Sequence, residues 1–377
     1  MISIKRHAVA IAATTALFGP AQAVIVVTGS VNTLPSVLPI GPGNTLLTGA
    51  RLLIGSPGTG QVEVGNGSSL QVGSLYLATS GTGIGRLWIH GVGSEVRLDS
   101  DTVALFPSTK RFSIADWGSG RVLVEVGGLL NGRFSPASCA LAGGMAACGT
   151  TIGVGAGSVA ELVVRDAGSK AEFFGYFNVG QAGVVTAATG GTDFGTAGGI
   201  TTTSIHIANG GMLRTDRATV GYGPSGPAAT GTERSFSTIA ISGPGSVWGI
   251  AGGTLDTQTS SLSTAVHANA TVNLNVSGGG RIDLSPVANT SHFINLSNGA
   301  GKTDMLVTGS GSAVNLNAGI LQVGRGLNGT ARLDVTAGGV INDAFYFVTG
   351  RGGSNGRTVV DGTGSRITVN RSGVPGS

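Results

Sequence analysis

An all-β fold, a right-handed parallel β-helix of about ten coils, is predicted by three observations: glycine content, a recurring corner motif, and two-residue alternation between the corners. Of 377 residues, 68 are glycine, while charged residues make up 11% and aromatics 5%. So much glycine weakens helices. The glycines follow no Gly-X-Y period and are interspersed with Val, Ile and Leu, which argues against collagen and against simple disorder. Short strands joined by glycine turns account for this composition.

The N-terminus has the pattern of a secretory signal peptide over residues 1–23. Lys5, Arg6 and His7 give a basic start, Ala8 to Phe18 an apolar run, and Ala21-Gln22-Ala23 a small-x-small cleavage pattern. The run is shorter than the ~20 apolar residues a membrane span needs. Removing Lys5 and Arg6 lowers the formal charge from +4 to +2. Basic pairs such as Lys110-Arg111 stand alone, so no patch of the kind nucleic acids require is present. Residues 24–50, with Pro35, Pro39 and Pro42, are expected to form an N-terminal cap or leader.

Residues 51–370 carry the repeat. Gly-Ser or Gly-Gly corners begin at Gly67, Gly93, Gly127, Gly168, Gly210, Gly245, Gly278, Gly311, Gly338 and Gly364, spaced 26 residues apart at both ends and up to 42 in the middle. Insertions are therefore expected in the central units. Corner types alternate, as in "LVVRDAGSKAEF" followed by "SIHIANGGML", with Gly67-Ser68 as the exception. After each Gly-Ser corner the second residue, Val96, Ala171, Trp248, Val314 or Ile367, is expected to point inward. One unit reads as a strand at Leu321–Val323, a turn, a strand at Ala331–Val335, a corner, and a strand at Val340-Ile341. Ten such coils at ~4.8 Å each would form a rod about 48 Å long. An antiparallel sandwich or barrel could use the same strands, but recurrence of corner, polar, apolar suits stacked rungs better. Residues 371–377 are a short tail.

Segments such as "VTGSGSAVNLNAGILQVGRGLNGTARLDVTAGGVI" and "ISGPGSVW" resemble the glycine-rich repeat of type V secretion autotransporter passengers and of exported bacterial proteins with a PEP-CTERM sorting signal. The resemblance spans roughly residues 50–370 and is strongest from Met305 to Val369. It implies export and a β-helix, and transmits no catalytic residue. Trp248 alone keeps the corner tryptophan; Val96, Val314 and Ile367 replace it. The chain ends in "NRSGVPGS", showing neither the barrel nor the sorting tail of those families, so membrane association is expected only through a module outside it.

Motifs that suggest chemistry have plainer readings. "VGRGLNGTARLDVTAGG" and "VGYGPSG" match Gly-x-Gly-x-x-Gly, but strand-like residues follow where a dinucleotide site needs a helix. "NGAGKTD" has Leu296 where a phosphate-binding loop needs its first glycine, and "GGSNG" around Ser354 continues as strand instead of entering a helix. Cys139 and Cys148 are expected to form a disulfide. The histidines His90, His206, His267 and His292 have no metal-ligand spacing, and no cofactor or metal is expected. Asn66, Asn269, Asn289, Asn295 and Asn328 head Asn-x-Ser/Thr sites, explained by turn preference.

The expected role is structural or adhesive, at the bacterial cell surface or in its matrix. A partner such as a polysaccharide or a host or matrix component would be met by loops at 131–151, 181–202, 222–237 and 249–265. The alternative is a carbohydrate-active enzyme, for which Asp99 and Asp101 form the nearest pair, with Asp116, Glu125, Asp166 and Glu172 in following coils. A solvated face is the simpler explanation of these acids.

Overall fold

The computed structural model describes residues 23–34, 45–98, 112–132, 149–181, 199–222, 234–251, 261–285 and 292–370. Residues 1–22, the Cys139/Cys148 pair, Asp99 and Asp101, Lys110-Arg111, Asn289, most of the four candidate loops and the tail lie outside the described residues. The described part is all-β and contains no helix.

Eleven strands form the first sheet: β1 (Val24–Gly29), β4 (Thr59–Gly65), β6 (Ile84–His90), β9 (Ser119–Glu125), β12 (Val159–Arg165), β14 (Ile200–Ala208), β16 (Arg234–Ser242), β19 (Ala270–Ser277), β22 (Lys302–Thr308), β24 (Thr330–Thr336) and β26 (Asn355–Asp361). From β4 to β26 every pairing is parallel and unshifted. The second sheet takes the intervening strands: β2 (Val31–Leu34), β3 (Thr45–Ile54), β5 (Ser69–Leu77), β7 (Glu95–Leu98), β8 (Phe112–Ile114), β10 (Leu129–Gly132), β11 (Thr150–Ile152), β13 (Lys170–Val179), β15 (Met212–Val220), β17 (Val247–Ile250), β18 (Ser261–Thr264), β20 (Arg281–Leu284), β21 (Phe293–Leu296), β23 (Ala313–Val323), β25 (Val340–Thr349) and β27 (Arg366–Val369). β1 and β2 run antiparallel to β4 and β3.

The unit expected from three short strands is redrawn in one respect. Leu321–Val323 is the end of β23, which begins at Ala313, so two expected strands form one. A shift in register between Asn315 and Ile320 replaces the turn between them.

Register places like beside like. In the first sheet Val62, Leu87, Val122, Leu162, Ile205, Ile239, Leu274, Met305 and Leu333 are successive Cα partners, each at most 1% exposed. Val96, Ala171, Trp248 and Val314 are fully buried, as the alternation predicts. Trp248 donates its indole N–H to Thr215 Oγ1 at 3.0 Å, which satisfies its one polar atom. Phe112, Phe173 and Phe177 pack ring to ring, with 5.3 Å between successive centroids, and Phe177 meets Trp248 at 6.4 Å.

The corners from first to second sheet resolve into two geometries. Residues 91–94, 166–169, 243–246, 309–312 and 362–365 form four-residue corners, and residues 66–68, 126–128, 209–211, 278–280 and 337–339 form three-residue corners. The two strictly alternate. In each four-residue corner the serine, Ser94, Ser169, Ser246, Ser312 or Ser365, accepts the backbone N–H of the preceding corner's Gly67, Gly127, Gly210, Gly279 or Gly338 at 2.9 to 3.0 Å. Ser246, Ser312 and Ser365 also donate to the carbonyl four residues back at 2.7 Å. The matching third position of the other class is Gly128, Gly211, Gly280 or Gly339. A Cβ on Gly211 would lie 2.3 Å from the Val164 carbonyl oxygen.

Two sequence readings change accordingly. Gly67-Ser68 does not break the alternation, because Asn66-Gly67-Ser68 is a three-residue corner by length, and Ser68 Oγ is buried with no hydrogen-bond partner. The third glycine-pair corner sits one residue later than the motif suggests, since Gly280 and not Gly279 matches Ser312.

Candidate functional site

The outward positions of the first sheet hold a connected set of polar side chains. Period-two alternation puts Glu63, Trp88 and His90, Glu125 and Arg165 on this face, in four consecutive strands. Trp88 and His90, two residues apart on β6, stack with centroids 4.1 Å apart and planes 26° apart. His90 Nε2 lies 2.9 Å from Glu63 Oε1. Gly65, opposite His90 on β4, leaves the space the imidazole fills: a Cβ there would be 2.5 Å from Nε2.

Glu125 joins the cluster to the next strand. Trp88 Nε1 donates to Oε1 at 2.8 Å, and Arg165 Nε donates to Oε2 at 2.6 Å, with Arg165 Nη2 on the same oxygen. Glu125 is 7% exposed, and its buried charge is balanced by the guanidinium and the indole N–H. Alongside, Arg121 Nε pairs with Glu161 Oε2 at 2.8 Å. A half-buried aromatic pair is thus fixed between Glu63 and Glu125, with one cation beyond.

The face changes character along the stack. Across β14, β16 and β19 its outward residues include Ser204, His206, Thr238, Ala240, Asn273 and Asn275, with Arg234 at the start of β16. Toward the C-terminus it becomes charged again around a shallow depression of about 630 Å³, lined by Asn273, Asn275, Lys302, Asp304, Leu306, Arg332, Asp334 and Arg357 among others. Lys302 pairs with Asp304 at 2.7 Å, and Arg332 holds Asp334 at 2.7 Å through Nη2 and 3.0 Å through Nε. The Asp334 hydrogen bond and charge, with a smaller contribution from Asp304, hold the Arg332 guanidinium above its ordinary pKa.

The four described acids singled out in the sequence do not gather on one surface. Asp116 sits in the turn before β9 and accepts a hydrogen bond from Ser113; Glu125 is on the first sheet; Asp166 opens a corner with φ 72°; Glu172 is on β13 of the second sheet. No group of three or more His, Cys, Asp or Glu able to hold a metal occurs among the described residues. His206 lies on β14, His267 offers Nδ1 to the Asn269 N–H at 3.3 Å, and His292 Nε2 bonds the Asn317 carbonyl at 2.6 Å.

The glycine motifs that fall within the described residues are turns; "VGYGPSG" lies outside them from Gly223 onward. In "VGRGLNG" the chain bends between β23 and β24, and a Cβ on Gly326 would come 2.5 Å from Gly299 in the turn stacked beneath. Ser354 Oγ bonds back to the Arg351 carbonyl at 2.8 Å and closes its own turn. Asn66 and Asn328 adopt φ of 54° and 62°, as turn asparagines do, but Asn295 lies in β21 at 1% exposure. There the turn explanation fails, because residue type alone does not distinguish a bend from a buried rung position.

Trp88–His90 is the site that motif searching missed. Aligning units on their corners puts Glu63 beside Trp88, and Glu125 one strand further, so the signal is present only once the rung register is known. Searches against family models, curated proteins and solved structures find no match to the chain.

Proposed function

We propose that the chain is an exported bacterial protein with a structural or adhesive role, resembling autotransporter passengers. In this reading its parallel rungs wind as a right-handed β-helix of about ten coils, and antiparallel β1 and β2 cap the N-terminal end. The outward face of the first sheet is the adhesive surface, and a surface or matrix polysaccharide is its partner.

One observation carries the choice of partner: Trp88 is immobilised on both its polar and its apolar side, by Glu125 and by His90, within a network of carboxylates and a guanidinium. An aromatic plane can take the C–H face of a sugar ring while the flanking acids accept its hydroxyls. Because the ring is already ordered, binding costs little side-chain entropy.

Binding of the purified chain to bead-coupled polysaccharides, neutral and acidic, tests this. Trp88→Ala is expected to weaken retention at least about tenfold, the scale of one lost aromatic contact, with an unchanged far-ultraviolet dichroism spectrum. Equal retention by the variant overturns the assignment. Release of reducing ends that disappears in both Glu63→Gln and Glu125→Gln would replace it with the carbohydrate-active enzyme.

A further inference from the structure

The depression on the outward face of the first sheet continues into a second one. A hollow of about 310 Å³ beside Arg234, Phe236 and Thr271 shares Lys302 and Thr330 with the depression of about 630 Å³, so the two join as one groove across β16, β19, β22, β24 and β26. Register rules the groove into two rows. Phe236, Thr271, Lys302, Thr330 and Asn355 are successive Cα partners in one. Asn273, Asp304, Arg332 and Arg357 are successive partners in the other. At ~4.8 Å per rung the groove follows the stack for about 19 Å. Four cations, Arg234, Lys302, Arg332 and Arg357, line it against two aspartates, and both aspartates are already paired, Asp304 with Lys302 and Asp334 with Arg332. The surplus lies with Arg234 and Arg357, which are exposed and have no ion-pair partner among the described residues. Phe236, two residues from Arg234, is 41% exposed.

We propose that this groove binds a linear polysaccharide whose sugars carry carboxylates, as a second adhesive surface apart from Trp88. It rests on the adhesive reading for the class of partner, and on the groove alone for the partner's charge. Rows that repeat their positions at every rung suit a polymer better than a single small molecule. A guanidinium fork matches a carboxylate through two parallel hydrogen bonds, and the two unpaired arginines stand at opposite ends of the groove. Between them Thr271, Thr330, Asn273 and Asn355 offer hydroxyls and amides to sugar hydroxyls, and the Phe236 ring offers a face to sugar C–H groups. Two surplus charges spread among uncharged polar groups fit a sparsely charged polyhydroxyl chain, not a nucleic acid strand with a phosphate every ~3.4 Å. The Trp88 strand β6 lies four rungs from β16, so one chain of the polymer can engage either surface independently.

Retention of the full chain carrying Trp88→Ala on immobilised alginate and polygalacturonate tests this, because that background removes the first site. Both acidic polymers are expected to retain it, and methyl-esterified polygalacturonate, the same backbone without the charge, at least about tenfold less. Adding Arg234→Gln and Arg357→Gln should weaken retention on the acidic polymers by at least about tenfold, and adding Phe236→Ala by about threefold to tenfold. Dichroism and melting temperature matching the parent show that these chains remain folded. Loss of all retention in Trp88→Ala overturns the groove and leaves the Trp88 reading standing, whereas retention on every polymer equal to the parent's overturns the Trp88 reading and not the groove. Equal retention on the esterified polymer, indifference to the arginine pair, or tighter binding to single-stranded DNA or to phosphatidylglycerol vesicles also overturns the proposal.

Discussion

The corner leading from the first sheet to the second keeps three or four residues in all ten repeats, whereas connections elsewhere in the circuit vary widely. The long ones fall between β7 and β8, β10 and β11, β17 and β18, and β20 and β21 inside the second sheet, and between β13 and β14 and β15 and β16 on the return. What separates the two kinds of turn is how each is tied to the rung beneath. At the corner, a serine hydroxyl bridges adjacent rungs and a glycine passes within van der Waals range of the neighbouring backbone. Registry is held on that side of the molecule, and additional chain is accommodated on the others.

Adding residues tests the contrast most severely. Four residues inserted within the 243–246 corner should displace Trp248 from its column and abolish cooperative melting. The same insertion within 252–260 should move the midpoint by only about 1–3 °C, since loop closure entropy grows slowly with length. Next in size, Gly211→Ala forces a Cβ to 2.3 Å from the Val164 carbonyl and is expected to cost about 2–4 kcal/mol in urea denaturation.

Two serine substitutions divide the corner classes themselves. Ser246→Ala removes a hydroxyl that accepts from Gly210 N–H at 3.0 Å and donates to Ser242 at 2.7 Å, so a loss of about 1–3 kcal/mol should be measured. Ser68→Ala, at an equally buried serine with no partner, should change stability by less than about 0.5 kcal/mol or raise it slightly. If both serines cost the same, corner length does not decide what the hydroxyl does.

Much of the architecture was legible in the chain. Alternation around Val96, Trp248 and Val314 places the interior, and the Gly-Ser and Gly-Gly pairs mark all ten corners. The merging of strands in β23 was not legible, because the bend there uses Asn317 and Ala318 at φ of 48° and 63°, and no composition marks alanine for a left-handed conformation. Nor was the site: His90 reads as outward from alternation alone, but its partner Glu63 is 27 residues away and the room for its ring depends on Gly65. Such contacts are set by register between rungs, which a local pattern does not contain.

The alternation of corner lengths makes the length of this molecule a quantity that comes in steps of two. Excising a single repeat would set two corners of the same class against each other, either stranding a serine without a glycine N–H to receive or leaving that N–H uncovered. Excising an adjacent pair, by joining Ser242 directly to Gly309, keeps a four-residue corner above the three-residue corner at 209–211 and so preserves the phase. Chains shortened or lengthened by even numbers of repeats should fold, and odd ones should carry a fault at the splice.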